Sequence, residues 1–301
     1  MRVRILGSAA GGGFPQWNCG CGNCTAIRQN TFQGKPRTQS QLAITADDHH
    51  WFLAGASPEL SSQIESFSAL HPRAARDSPI SGVVLASADL DHVLGLLSLR
   101  ELQPLRVYGS RSVLKILREE NSVFSMLNRV EPQVSWNAAD CGAEFPLLTA
   151  KGEDCGLRCR MMCLSGRYPS YVRMAGLGSC EAVAGLFFTA SGKRVAYFPA
   201  VGALDQALIT AFEGVDLLLL DGTFWSDDEL IRVQGSGQTA QHMGHVPVKE
   251  TLSRLRNLPV GRKMFIHVNN TNPILNEASE EYRAVRDTGW QVAEDGWQVD
   301  L

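Results

Sequence analysis

Ser87-Ala88-Asp89-Leu90-Asp91-His92 places two carboxylates and an imidazole within four residues. An apolar run, Val83-Val84-Leu85-Ala86, precedes it, and an amphipathic run over 93–100 follows. The pattern reads as strand, loop, helix. One face of such a loop can present these side chains to a single cation. Asp89 by itself would suit the N-cap of the following helix, whereas Asp91 with His92 asks for a metal. Two further residues share the same kind of address. Asp221 follows four leucines at 217–220, and His267 follows Met264-Phe265-Ile266. A carboxylate behind four leucines is costly to bury unless it is paired or bound to a cation. His245, in Met243-Gly244-His245-Val246-Pro247, either joins this group or caps a turn. His71, His242 and the pair His49-His50 read as solvated.

Asn18-Cys19-Gly20-Cys21-Gly22-Asn23-Cys24 is a C-x-C-x2-C cluster whose small intervening residues let three sulfurs turn on one ion. A closed structural zinc site takes four ligands. Cys19, Cys21 and Cys24 supply three, and His242, His245, His267 or a residue near it is expected to supply the fourth. An iron–sulfur cluster would need a fourth cysteine, and none is nearby. Gly7-Ser8-Ala9-Ala10-Gly11-Gly12-Gly13 lacks the spacing of a phosphate cradle and reads as close backbone packing. The other cysteines of the eight are Cys141, Cys155, Cys159, Cys163 and Cys180. Cys155, Cys159 and Cys163 lie in an apolar stretch and read as small core residues. In an intracellular chain disulfides are not expected.

These groups need a scaffold. Short β-rich runs at 3–6, 41–45, 51–53, 83–87, 106–108, 186–190, 194–198, 217–221 and 264–268 alternate with helical patterns at 58–67, 93–99, 112–120, 206–213, 247–256 and 277–287. The candidate functional residues therefore sit at strand ends, where α/β proteins gather their sites. No linker divides the 301 residues, so one domain over 1–301 is expected, with 121–180 as the least readable part and a candidate insertion. The net charge of −3 offers no electrostatic footprint for nucleic acid or an anionic membrane. A small molecule or peptide is the expected substrate. The longest apolar runs are too short for a membrane span, and the N-terminus lacks an apolar h-region, which points to the cytoplasm.

At this point the motifs carry a resemblance. The segment 87–92 resembles the H-x-H-x-D-H signature of the metallo-β-lactamase superfamily. Asp221-Gly222-Thr223-Phe224, Gly244-His245 and Ile266-His267 resemble later motifs of its branch containing the tRNA 3′-processing endonuclease. The cysteine cluster is similar to the structural zinc site of a phosphonate-pathway phosphodiesterase in that superfamily. Gly7-Ser8-Ala9-Ala10-Gly11-Gly12-Gly13-Phe14-Pro15-Gln16-Trp17-Asn18-Cys19, Asp221-Gly222-Thr223-Phe224-Trp225 and Asn269-Asn270-Thr271-Asn272-Pro273 resemble a family that acts in the biosynthesis of pyrroloquinoline quinone (PQQ). The likeness spans almost the whole chain. It implies an α/β (α+β) fold, an αββα sandwich of two mixed sheets flanked by helices, with a metal at one edge. It also implies a pathway in which PQQ is built from a Glu and a Tyr of a precursor peptide.

The departures from the superfamily pattern narrow the expectation. A two-zinc hydrolase has histidines where this chain has Ser87 and Asp89, and a further one downstream; here no histidine lies between His92 and His242. The bridging aspartate normally follows a strand like 194–198, which here runs into Pro199-Ala200-Val201. Asp91, His92 and His267 remain, a 2-His-1-carboxylate set that suits non-haem Fe(II) and oxygen chemistry. Zinc could occupy it in a purified form. Asp89 is then a fourth ligand or a base, and Asp221 and His245 serve as acid, base or orienters. The expected activity is iron-dependent hydroxylation of the tyrosine ring of a precursor-derived Glu-Tyr intermediate. A binding or carrier protein for PQQ or its precursor, serving transport to the periplasm, is the alternative. A zinc hydrolase is disfavoured by the dismantled first site. A homo-oligomer is compatible with the sequence. Trp225 and Trp290 either line an aromatic pocket or pack in the core.

Overall fold

In the computed structural model, which describes all residues except 132, 165 and 179, these runs form two mixed β-sheets flanked by short helices. The strands begin with β1 (Arg2–Gly7), β2 (Gln41–Thr45), β3 (Trp51–Ala54), β4 (Ile80–Val84), β5 (Leu105–Gly109), β6 (Val134–Ala138) and β7 (Glu144–Leu148). They continue with β8 (Asp154–Leu164), β9 (Val183–Ala190), β10 (Lys193–Phe198), β11 (Leu217–Asp221), β12 (Arg262–Ile266), β13 (Gln291–Val292) and β14 (Gln298–Asp300). The α-helices are α1 (Gly22–Arg28), α2 (Leu60–Glu65), α3 (Leu90–Val93), α4 (Arg111–Lys115), α5 (Gln206–Phe212), α6 (Glu229–Gln234), α7 (Val248–Arg254) and α8 (Glu280–Asp287). The chain divides into two compact units, residues 1–6, 41–193 and 296–301 in one, residues 7–40 and 194–295 in the other. Among the described residues no helix is long and apolar enough to cross a membrane.

In the first unit one sheet runs in the order β14-β1-β2-β3-β4-β5-β6. Strands β3 to β6 are parallel. Trp51, Leu53, Val83, Leu85, Leu96 and Val107 belong to its buried core. β4 ends at Val84, short of the expected 87, so residues 85–89 form a loop that carries Asp89, while Asp91 and His92 fall within α3. The helical pattern expected over 93–99 splits. α3 is a single turn, and a 3₁₀ helix (Leu94–Leu99) follows. Gly95 explains the tightening: its backbone presses on the chain at 56–57, where a Cβ would meet Ser57 O at 2.1 Å. The Ala56 N–H donates to His92 O at 2.8 Å and so pins the end of α3.

The region 121–180, expected as an insertion, instead supplies β6 and the antiparallel pair β7 and β8, and β8 pairs in turn with β9. Along β8, Leu157, Cys159 and Met161 are buried between the half-buried Arg158 and Arg160. Cys159 thus fits its expected core role. Cys155 is half-buried, and its thiol donates to Leu147 O at 3.3 Å. Cys163 corrects two expectations, because it is disulfide-bonded to Cys141 across a Cα separation of 5.8 Å.

In the second unit β10, β11, β12 and β13 are all parallel. Parallel strands covered on both faces read as continuous apolar runs, and the four leucines of β11 are at most 1% exposed. Phe198 packs edge-on against Phe212 at 4.9 Å. Phe265 stacks on Trp290 at 4.3 Å, so Trp290 is a core residue. β11 and β12 are in register with Asp221 beside Ile266. Both strands therefore deliver their polar residues, Asp221 and His267, at the same carboxyl edge. β12 stops two residues before the expected 268 because His267 adopts a left-handed φ of 58°, which no strand residue can hold. The following Val268 pairs with Ala9 instead, and the glycine-rich segment packs by its backbone as expected.

Candidate metal centre

The first group grows from the loop after β4. Asp89 stands at the N-cap position of α3, yet its carboxylate makes no cap hydrogen bond. It accepts from Ser87 Oγ at 2.7 Å instead. Ser87 Oγ in turn lies 2.9 Å from His92 Nδ1. One hydroxyl has one proton, and it goes to the carboxylate, so His92 Nδ1–H is the donor to Ser87. The lone pair of His92 is then on Nε2, the nitrogen that lies 3.6 Å from Asp91 Oδ2. His92 is buried at 4% exposure, and Ser87 at 1%. Tyr171, which the sequence reading did not single out, donates its hydroxyl to Ala88 O. Burial pushes the Tyr171 phenol up to about 12, and the Asp89 charge adds to the effect.

The second group lies at the carboxyl edge of β11 and β12. Asp221 Oδ1 accepts from Thr223 Oγ1 at 2.7 Å and from the Thr223 N–H at 3.0 Å. Asp221 Oδ2 accepts from the Val201 N–H at 2.8 Å and faces His245 Nδ1 at 2.7 Å. Val201 belongs to the Pro199-Ala200-Val201 turn, where the superfamily pattern has a carboxylate. Here that turn offers a backbone donor instead. Burial raises the Asp221 carboxyl, but His245, His267 and Thr223 together outweigh it and hold the acid below its ordinary range. Thr223 Oγ1 is also 2.9 Å from His267 Nδ1. With its own proton on Asp221, Thr223 accepts from His267 Nδ1–H, and the His267 lone pair resides on Nε2. His245 Nδ1–H donates to Asp221 by the same logic. The His245 and His267 rings stack at 5.6 Å.

Asp221, His245 and His267 offer ligand atoms within 4.8 Å of one another. Imidazoles whose Nδ1–H is held by a carboxylate or hydroxyl and whose Nε2 carries the lone pair are set up as metal ligands. The His267 imidazole therefore suits a divalent cation of the borderline class, whereas both Asp221 oxygens are already engaged by donors.

The third group is the cysteine cluster. The sulfurs of Cys19, Cys21 and Cys24 lie within 4.8 Å of one another. The cluster spans the start of α1, with Cys21 at its N-cap and Cys24 fully buried. Among the described residues no histidine, aspartate or glutamate joins the trio at that range. His245 and His267 are engaged with Asp221 and Thr223, and His242 is exposed. The histidines expected to complete the site thus do not. His49 is exposed, and His50 pairs with Asp47 at 2.7 Å on the surface.

The sequence reading missed the supporting contacts: the Ser87 and Thr223 hydroxyls hold the imidazoles, and the Val201 backbone N–H holds the Asp221 carboxylate. Ser and Thr are common at strand ends for many reasons. The available signal was their position directly between a strand and a candidate ligand.

Comparison with known proteins agrees with this geometry. The β-lactamase superfamily domain matches residues 50–268. That defines the class: a metallo-β-lactamase fold with metal-binding capacity. Coenzyme PQQ synthesis protein B of Methylobacterium sp. strain 4-46 is 40% identical over 308 residues, covering 100% of both chains. The Zn(2+)-bound PqqB of Methylobacterium extorquens is 37% identical, also over the full length of both chains, with a TM-score of 0.92. The chain belongs to the coenzyme PQQ synthesis protein B family of this superfamily. A diphosphatase of the PhnP family, at 17% identity and a TM-score of 0.72, shares the fold alone.

Proposed function

We propose that this protein acts in PQQ biosynthesis as an iron-dependent oxygenase that hydroxylates the tyrosine ring of a precursor-derived Glu-Tyr intermediate. Asp91, His92 and His267 would hold the metal. Two imidazoles and one carboxylate are the donor set of mononuclear non-haem iron. Ferrous iron in such a site supplies the activation of dioxygen.

One observation carries this reading. The residues that stand where a dinuclear hydrolase has histidines, Ser87 and Asp89, are hydrogen-bonded to each other, and Ser87 also meets His92. They orient one metal ligand rather than build a second metal site. That favours oxygenase chemistry over hydrolysis.

The chain's own groups supply the remaining work. Ser87 fixes the tautomer and ring plane of His92, and Thr223 does the same for His267. Asp221 is the common acceptor behind Thr223 and His245. His245 keeps its proton on Nδ1 and offers Nε2 to take the proton that a phenol releases. Its side chain is 12% exposed, enough to meet a substrate. Asp89, committed to Ser87, acts as an orienter through that hydroxyl.

The test is a cellular one. Replacing His92 by Ala in a PQQ-producing strain should abolish PQQ both inside and outside the cells. Accumulation of PQQ inside the cells with loss outside would instead establish the carrier function.

A further inference from the structure

The Cys141–Cys163 bond stands at one end of a line of contacts that finishes on the loop 85–89, and all members of the line belong to the first unit. β7 meets β8 from Glu144 opposite Arg160 onward, so residues 161–164 of β8 run past the first residue of β7. On that side they are fastened by the Gly142 N–H to Met161 O at 2.7 Å, by the Cys163 N–H to Cys141 Sγ at 2.9 Å, and by the disulfide itself. On their other side they carry the start of β9, with Cys163 opposite Ala184 and Leu164 opposite Val183. Those two residues in turn hold the loop after β4. The Ala184 N–H donates to Ala86 O at 2.8 Å, and Val183 forms an antiparallel bridge with Ser87. Ser87 is the residue whose hydroxyl fixes the His92 ring. The chain between β8 and β9 returns to the same loop, where Tyr171 donates to Ala88 O.

We propose that Cys141–Cys163 is a thiol–disulfide exchange site, served by a dithiol/disulfide couple, whose redox state sets how firmly the loop 85–89 is held. Its regulatory meaning rests on the reading of that loop as the orienter of an iron ligand; the exchange site itself does not. Cys141 is exposed and Cys163 half-buried, so an incoming thiolate reaches Cys141 Sγ. It bonds there and expels Cys163 as a thiolate, which takes up a proton. The second thiol of the reductant then attacks the mixed disulfide and releases Cys141 as a thiol. Two electrons pass from the dithiol to the protein, and the reductant leaves as its own disulfide. Exchange with a small-molecule disulfide runs the same steps in reverse and closes the bond again.

Reduction leaves β8 paired along β7 and β9 but removes a covalent tie at a strand end. Strand ends open locally at far less cost than the whole fold, and a crosslink restrains that opening by limiting the states of the freed chain. β9 is the strand between the bond and Ala86, so the loss is felt at the Ser87 backbone and through it at His92. The other thiols of this unit are placed differently. Burial pushes the thiols of Cys159 and Cys155 up, which makes them poor nucleophiles, and Cys155 donates to Leu147 O. Cys180 is exposed and free, and serves as the control.

The experiment takes the full-length wild-type chain in two states, oxidised with glutathione disulfide and reduced with dithiothreitol. Zinc is present throughout to keep Cys19, Cys21 and Cys24 out of the exchange, and each sample is desalted under nitrogen. Alkylation in denaturant followed by mass spectrometry should show the thiol count rise from six to eight on reduction, the new thiols being Cys141 and Cys163. Hydrogen exchange at the amides of 85–89 and 183–184 should quicken about tenfold in the reduced state and stay unchanged in β11 and β12. Fe(II) should bind about tenfold more weakly to the reduced chain and recover on reoxidation. The double variant Cys141→Ser, Cys163→Ser should match reduced wild type under either reagent, whereas Cys180→Ser should respond as wild type does. The wild-type comparison stands by itself if the double variant fails to fold. Exchange at 85–89 that is equal in the two states, or that quickens with reductant in the double variant as well, would overturn the proposal. Failure of glutathione disulfide to form the bond would overturn it too. Redox-dependent exchange at 85–89 in a chain that binds no iron in either state would uphold the exchange site and contradict the iron reading.

Discussion

Ser87 holds His92 by its ring: the serine hydroxyl lies 2.9 Å from His92 Nδ1 and donates its own hydrogen bond to Asp89 at 2.7 Å. Thr223 repeats the arrangement with His267 at 2.9 Å and Asp221 at 2.7 Å. In each case an aliphatic hydroxyl stands between a buried imidazole and a carboxylate. The imidazole then has one defined tautomer and one outward lone pair.

Removing the first hydroxyl separates orientation from ligation. Ser87→Ala should weaken iron binding by about 10–100-fold, the usual scale for losing a partner behind a metal ligand. Ser87→Thr should restore most of it. Titration of apoprotein with Fe(II) under nitrogen measures both.

The second hydroxyl also bears on stability. Thr223→Val leaves Asp221, at 1% exposure, without its Oγ1 donor. A buried acceptor deprived of a partner costs about 1–3 kcal/mol. Urea unfolding should show that loss in Thr223→Val and its recovery in Thr223→Ser.

His245 should behave differently from the metal ligands. His245→Gln is expected to keep its iron stoichiometry while turnover falls about 10²-fold, the scale of a lost general base. Iron loss in this variant would move His245 into the ligand set.

Glu229 gives the fold a pH dependence. Burial pushes its carboxyl from 4.5 up to about 7, even though the Thr271 hydroxyl and the Trp225 N–H both donate to it. Between those values the folded chain keeps the proton and the unfolded chain has released it. The folded state binds more protons, so stability must fall as pH rises from about 4.5 to about 7 and level off above. The contribution is on the order of 3 kcal/mol. Denaturation of wild type and Glu229→Gln across pH 5 to 8 should show a flatter slope in the variant.

Much of the site was legible in sequence because ligands at strand ends break an apolar pattern. Asp221 after four leucines and His267 after Met264-Phe265-Ile266 stand out for that reason, and both lie at the carboxyl edge of neighbouring parallel strands. The cysteine trio was legible from spacing alone. The approach of Asn270 Nδ2 to those sulfurs was not, since it crosses about 250 positions of chain. Strands β6 and β7 were hidden because they are largely half-buried, and β8 because it interleaves arginines with cysteines, which blurs a period of two. The Cys141–Cys163 bond was missed because redox compartment, not strand pairing, guided the expectation. The one-turn length of α3 follows from Gly95 against the chain at 56–57, a contact that no local pattern announces.

The most direct measurement incubates iron-loaded protein and a Glu-Tyr dipeptide with dioxygen and a reductant, then weighs the product. An oxygenase adds one or two oxygen atoms to the tyrosine ring, each a mass gain of about 16 Da that becomes about 18 Da with ¹⁸O-labelled dioxygen, and His92→Ala adds none. Unlabelled dipeptide recovered intact from iron-replete wild-type protein would contradict the proposal.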